Sequence, residues 1–550
     1  MYKKTKILFF TIFIFFTSLI FSSYTDNDYF EISKNLEILS SIYKELNALY
    51  VDDTNPGDLM KKGIDAMLES LDPYTTYIPE SQIEDFRFMK TGEYGGIGAV
   101  ITKIDDYVCI SEPYEGFPAQ KAGLMAGDKI LKIDGISAKG KSTEDVSKIL
   151  KGEKNTTVDI LIERDSSKKP IKFSFKRKKI KIESVPYFEF LENNIAYIKL
   201  RSFTTNCSQD IKKAYKELEK QKEIKGLILD LRGNPGGLLI ESVRTANLFV
   251  KQGEEIVVSK GKLKSREKAY KTTQEPMNDK VPLVVLINQS SASASEIVSG
   301  SIQDLDRGIV IGQRSFGKGL VQETRDVGYN SKLKLTIAKY YLPSGRCVQA
   351  LDYSNRNQDG SVGKIADSLA TKFYTKNGRT VFDGGGITPD LKIKQSKASN
   401  ISISLLRNRH FFNYATEFRH RNNSIGNLED FTLSDKEFNS FTTYLSDKEY
   451  EYETKTEKLI NQFKETAEEE GRLNLISNEL ELLENKLNEN KKSDLEINKK
   501  EIKQILSSEI ISRYFFQKGR IFIDLNSDPE IDSAINILSD PKRYNNFLAP

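Results

Sequence analysis

Apolar residues recur at Ile32, Leu36, Leu39, Tyr43, Leu46 and Tyr50, in steps of four and three. That spacing predicts one apolar stripe along a helix. A second helix fits "DLMKKGIDAMLESL", with Leu59, Ile64, Met67, Leu68 and Leu71 facing inward, and "DPY" at 72–74 ends it. From residue 94 the period shortens. "YGGIGAVITKI", "YVCISEPYEG", "TVDILIERD" and "IKFSFKRKKIKI" read as strands. Among them "STEDVSKILKG" reads as a short helix capped by Ser142 or Thr143. A small, barrel-like β domain with one clear helix is expected there.

Between 184 and 395 the two periods alternate. "NIAYIKLRSF", "GLILDLRG", "PLVVLINQ", "GIVIG" and "LKLTIAKYYLP" predict strands. "SQDIKKAYKELEKQK", "LLIESVRTANLFV" and "ASASEIVSGSIQDL" predict the helices between them. That order argues for an α/β core. After about residue 400 periodic leucines stand among Glu, Lys and Asn, as expected of a solvated helix or helical hairpin. The fold class is therefore multidomain α/β. A helical region at 26–90 and a β domain at 91–180 precede the core at 184–395, and a helical extension of unassigned role fills 400–550.

Composition narrows the function. With 82 basic and 78 acidic side chains in 550 residues, the net charge of +4 gives no reason to expect nucleic acid as a partner. Three lysines precede the apolar run Ile7 to Phe21, the pattern of an export signal over residues 1–23. Bulky Ile20 or Phe21 before the candidate cleavage serines leaves open an uncleaved anchor over residues 7–23. The rest of the chain is expected in the periplasm or on the extracytoplasmic face of a membrane. Three scattered cysteines, Cys109, Cys207 and Cys347, imply neither a disulfide framework nor a metal knuckle. The N-terminal stripe fits a small helical subdomain, and a homodimer contact through it stays open as an alternative.

Two stretches carry candidate chemistry. "GQRSFGKG" at 312–319 fits a phosphate-cradling loop as far as Lys318, but Gly319 stands where a magnesium-binding Ser or Thr is needed, and a strand rather than a helix follows. In "NQSSASASEIVSG", Ser290, Ser291, Ser293 and Ser295 crowd the turn into a helix. A hydroxyl there is either a common helix cap or a nucleophile placed where helix N–H groups favour a developing anion. With His410 and His420 the only histidines, both in the polar C-terminal region, a Ser-His-Asp triad is not expected. A lysine can replace the histidine when it is neutral, which takes a fall in pKa from about 10.4 to about 7–8. Lys318, beside Phe316, Leu320 and Val321, is the candidate, with Gln322 four residues on as an uncharged partner.

"SASASEIVSGSIQD", "GQRSFGKGLVQ" and "LILDLRGNPGGLL", together with "LDPYTTYIPE", "KLTIAKYYLPSGR" and "GGGITPDL", closely resemble the C-terminal processing peptidases, or tail-specific proteases, over residues 30 to 395. The resemblance implies a Ser/Lys peptidase with an inserted PDZ domain. Ser293 would be the nucleophile, Lys318 the base and Gln322 its orienting partner. The backbone N–H groups of Gly237 and Ala294 would form the oxyanion hole, and Asp304 would be a structural support. The 91–180 domain would be the PDZ domain, with Gly96, Ile97 and Gly98 presenting N–H groups to a peptide C-terminus. The resemblance implies no metal and no cofactor. It leads to an exported serine endopeptidase acting on proteins or peptides with free C-termini, with a non-catalytic peptide-binding scaffold or chaperone-like module as the alternative.

Overall fold

The computed structural model describes residues 29–550 apart from 358–360, 366, 395 and 396. The export signal or anchor lies outside the described residues. Among the described residues no helix is long and apolar enough to cross a membrane. The chain divides into two units, one formed by residues up to 78 with 324–335, the other by 79–323 with 336–550.

The first unit holds a helix over 29–49 and the helix Pro56–Glu69. Asn55 starts the second helix by accepting the N–H groups of Gly57 and Asp58. In the "DPYT" turn the Asp72 carboxylate takes the N–H groups of Tyr74 and Thr75, both at 2.8 Å. Strand Thr76–Ile78 then pairs antiparallel with 332–334. The apolar stripe forms, but it is not buried within the unit. Leu36 is 62% exposed and Leu39 51%. Of the five positions expected inward on the second helix only Leu68 is buried, while Met67 and Leu71 are exposed. Two helices beside one three-residue ladder offer too little surface to cover both stripes.

The second unit begins with the β domain. Its ladder runs Ala99–Ile104, Tyr107–Pro113, Lys129–Ile133, Thr157–Glu163 and Ile171–Lys176. Val158, Ile160 and Ile162 alternate into the core at zero exposure beside Val146 of the helix Thr143–Leu150. Ser142 caps that helix in a reciprocal box with Asp145. The sheet is open rather than a barrel, because a helix and not a further strand covers its apolar face.

The α/β core is a six-stranded sheet in the order Tyr187–Phe190, Ile195–Lys199, Gly226–Asp230, Leu283–Ile287, Ile309–Gly312 and Leu391–Lys392. Every pairing after the first is parallel. A buried parallel sheet needs helices on both faces. Leu227, Leu229, Val285 and Ile287 point to the side of helices Cys207–Gln221, Leu239–Asn247 and Ala294–Asp304. Ile228, Val284, Leu286 and Ile311 point the other way. There they meet Ile521 and Leu525 of the helix Lys499–Leu525, Ile531 and Ile537 of Pro529–Leu538, and Tyr544 of Pro541–Leu548. The chain's last helices are thus the second helical layer of the core. Between core and terminus, helices Asn400–Arg407, His410–Arg421 and Asp435–Tyr444 pack on Ile502, Leu506 and Ile510. Helices Lys455–Glu469 and Leu473–Ile497 keep Leu459, Leu475 and Leu482 in solvent.

Candidate active site

Strand Leu283–Ile287 ends in the serine-rich turn, and the buried helix Ala294–Asp304 starts from it. The four serines separate by environment. Ser291 and Ser295 have no exposure, and their hydroxyls donate to the carbonyls of Leu231 and Asn234, each at 2.9 Å. Ser290 lies open to solvent. Ser293 is half-buried and occupies the N-cap position with φ 56° and ψ −111°. A non-glycine residue there costs about 1–3 kcal/mol and persists only where its surroundings enforce it. The enforcement is visible. The Ser293 N–H donates to Glu296 Oε2 at 2.7 Å, and its carbonyl accepts the N–H groups of Glu296 and Ile297 and the Tyr340 hydroxyl at 3.2 Å.

Glu296 is fully buried and serves two segments at once. Besides Ser293, its Oε2 accepts the Lys318 N–H at 2.9 Å. Its Oε1 accepts the Gly317 N–H at 2.7 Å and the Ser315 hydroxyl at 2.6 Å. Burial pushes this carboxyl above its ordinary pKa, against the pull of these donors. Tyr340, also fully buried, adds a second tie by donating to the carbonyls of both Ser293 and Lys318. The Lys318 backbone is therefore fixed to the Ser293 turn through both its N–H and its C=O, and its side chain is half-buried. Gln322, in the strand Leu320–Gly328, donates its amide to Thr336 Oγ1 at 3.3 Å.

The "NPGG" loop closes the other side. Buried Asn234 accepts the Gly236 N–H on its side chain and the Ala292 N–H on its carbonyl, and it donates to the Leu200 carbonyl. Gly236 packs so close that a Cβ there would stand 2.9 Å from Ser293 Cβ and 3.0 Å from the Ala294 nitrogen. Gly237, with φ 146°, bridges to Phe203, whose carbonyl a side chain would strike. Among the described residues the N–H groups of Gly237 and Ala294 have no acceptor. They flank Ser293 from two different segments.

Asp304 pairs with fully buried Arg346 at 2.7 Å at the far end of the Ser293 helix. Both histidines sit in the helix His410–Arg421, where His410 Nε2 lies 2.8 Å from the Glu449 carbonyl. Among the described residues no cluster of His, Cys, Asp and Glu could hold a metal ion. Glu296, Tyr340 and Asn234 escaped the sequence reading. Only Glu296 had a signal there, the S-x-x-E spacing of a capping box.

In the β domain, Gly96 ends the strand Glu93–Gly96, Ile97 is buried and Gly98 has φ 76°. The carbonyls of Ile97 and Gly98 accept the N–H groups of Ala119 and Tyr114, both at 2.9 Å. Burial raises the Tyr94 phenol, and the Gly98 N–H beside it pulls the other way. The next strand, Ala99–Ile104, lies at the sheet edge. Ile110 spends its N–H and C=O on Asp128 and Gly127, so its partner Ile101 turns its own pair outward, as does Lys103. Arg409 donates to the Lys103 carbonyl, so the strand is open from Ile101 toward the glycine loop and covered at its far end.

Residues 194–354 match the model of peptidase family S41, 109–164 that of the PDZ domain, and 401–538 that named "Probable PDZ-protease, C-terminal helical domain". The chain is 34% identical over 352 residues to the carboxy-terminal-processing protease of Bartonella bacilliformis, covering 63% of itself and 80% of that protein. It is 36% identical over 318 residues to the "Probable CtpA-like serine protease" of Staphylococcus aureus strain MRSA252, covering 57% of itself and 62% of that protein. Among solved structures, the photosystem II D1 C-terminal processing protease is 26% identical, with 64% of this chain and 91% of that one covered and a TM-score of 0.36.

Proposed function

The chain belongs to the carboxy-terminal-processing proteases of peptidase family S41, and we propose that it is an exported endopeptidase whose nucleophile is Ser293 and whose base is Lys318. The Ser293 hydroxyl attacks a peptide carbonyl while the Lys318 amine takes its proton and passes it to the leaving nitrogen. A water then releases the acyl group from Ser293, with Lys318 again taking the proton. The N–H groups of Gly237 and Ala294 receive the oxyanion at each addition. Gln322 steadies the lysine as an uncharged neighbour. The observation that carries this reading is the turn itself. Ser291 and Ser295 have committed their hydroxyls, whereas half-exposed Ser293 is held in a strained conformation between two N–H groups without acceptors.

The PDZ domain captures the substrate's tail. A peptide adds as a strand along the outward-facing Ile101 edge, its terminal carboxylate against the loop Gly96, Ile97 and Gly98. The Gly96 N–H is spent on Lys178 across its ladder and the Gly98 N–H on the Tyr94 phenol, so the Ile97 N–H is the donor left for it. The uncovered stripe on the helix 29–49 supports a homodimer contact, and residues 7–23 would hold the protein at the extracytoplasmic membrane face or direct it to the periplasm. The test is hydrolysis of fluorescent, unfolded casein by the full chain beside Ser293→Ala. Loss of cleavage with an unchanged melting temperature is expected, and retained cleavage in the variant would refute the assignment.

A further inference from the structure

The two loops that approach Ser293 share an anchor well away from it. Arg232 opens the segment leading to Gly237, five residues on, and Gln313 opens the segment leading to Lys318, also five residues on. Both reach the same side chain. Glu530, in the first turn of the helix Pro529–Leu538, accepts Arg232 Nη1 on Oε2 at 2.6 Å and Gln313 Nε2 on Oε1 at 2.5 Å. Its neighbour Asp528 caps the helix with one oxygen and takes Arg232 Nη1 on the other at 2.5 Å.

The anchor is built rather than incidental. Glu530 is 5% exposed, and Arg232 donates from Nε and Nη2 to Asp230, which has no exposure and also accepts the Tyr197 hydroxyl. Asp230 ends the strand Gly226–Asp230, so Arg232 is gripped from the sheet and from the terminal helix at once. Lys199 adds a second cation at 3.1 Å from Asp230. The three carboxylates thus face two cations, and the residual negative charge lies at the helix N-terminus, where the dipole favours it. Buried pairs of this kind contribute little net stability, but removing one partner is costly. Their effect is to fix geometry.

We propose that Glu530 is a positioning residue for the peptidase centre. It holds the oxyanion loop to the Lys318 loop and makes the C-terminal helices part of the catalytic unit. The proposal rests on the peptidase reading above and assigns that reading a residue outside the α/β core read from the sequence. Displacing either loop by about 1 Å should cost about 10- to 100-fold in rate.

The experiment uses the full chain and three variants, Glu530→Gln, Gln313→Leu and the double. Cleavage of fluorescent, unfolded casein gives kcat and KM, a fluorophosphonate probe reads the labelling rate of Ser293 without tail capture, and melting temperature reads folding. In each single variant kcat and the labelling rate should fall together by about 10- to 100-fold, with KM within a factor of about two. The double variant should lose no more than the worse single, because one bridge is broken in both. Wild-type labelling and turnover in a folded Glu530→Gln or Gln313→Leu overturns the proposal, as do losses that multiply in the double. If Glu530→Gln does not fold, Gln313→Leu alone decides, since it leaves Arg232 paired. A wild type that neither labels nor cleaves overturns the peptidase reading and the proposal with it.

Discussion

Replacing Glu296 by glutamine should separate activity from stability. The carboxylate is buried and accepts four donors, the Ser293 and Lys318 N–H groups on one oxygen, the Gly317 N–H and the Ser315 hydroxyl on the other. An amide keeps one acceptor and turns a donor toward the second pair. The pair that can adapt is the one with Ser315, whose hydroxyl rotates, so Gly317 is left without an acceptor. An orphaned buried N–H costs about 1–3 kcal/mol. Against that, the variant no longer buries a charge, whose desolvation in a protein costs several kcal/mol. The raised pKa of Glu296 shows desolvation outweighing the four donors. The two changes oppose each other, and the melting temperature should move by only a few degrees. Catalysis has no such compensation. A loop that relaxes at Gly317 carries Lys318 with it, and a rise of about 1.4–2.7 kcal/mol in the barrier lowers kcat about 10- to 100-fold. Steady-state cleavage and calorimetry on the same preparations measure both. A folded Glu296→Gln enzyme with wild-type kcat would refute the argument, and so would a loss of activity that merely followed unfolding.

The same carboxyl should leave opposite signatures in two pH profiles. Its raised pKa means that the fold favours the neutral acid, so the stability it contributes is fully present below its unfolded value near 4.3 and is lost as pH rises through the higher folded value. The urea midpoint of wild type minus that of Glu296→Gln should therefore fall across that window, while kcat, which needs the anion, rises through it; a flat or rising difference would refute the assignment. Lys318→Arg should be as inactive as Lys318→Ala, because a guanidinium does not deprotonate near neutrality; substantial cleavage by the Arg variant would make the residue's role electrostatic. Amidating the C-terminus of a peptide substrate should weaken its binding and turnover, since the loop at 96–98 then meets no carboxylate; equal turnover of amidated and free peptides would exclude tail capture through that loop.

The order of elements in the α/β core was legible because its strands are continuous apolar runs and its helices follow at regular intervals. The serine-rich turn was legible too, as small residues between a strand and a helix. Choosing among four serines was not legible in the local pattern and rested on the resemblance alone, because hydroxyl commitment depends on carbonyls such as Leu231 and Asn234, which lie about 60 positions away in sequence. Tyr340 gave no signal, since a tyrosine in an alternating strand looks the same whether it fills space or bridges two carbonyls. The C-terminal helices show the opposite limit. Ile531, Ala534 and Ile537 display a clean apolar stripe, but periodicity says only that a helix has a partner. That the partner is the back of the α/β sheet is a long-range fact, absent from local pattern.

Because that sheet waits for its second layer, the enzyme's assembly waits until residues 521–548 have been made. The Leu283 N–H donates to the hydroxyl of Tyr544, 261 residues later, and Arg232 meets Glu530 across 298 residues. At about 5–20 residues per second, about 13–60 s separate the two members of each pair as they emerge from the ribosome. Throughout that interval one face of the most apolar strands in the protein is bare and the two loops lack their common anchor. A nascent chain is thus held short of its working form and unable to cut the proteins around it. Ribosome-bound chains arrested before residue 529 should stay sensitive to added protease across 226–312 and should not react with a serine-directed probe, whereas released full-length chains should resist the one and take up the other.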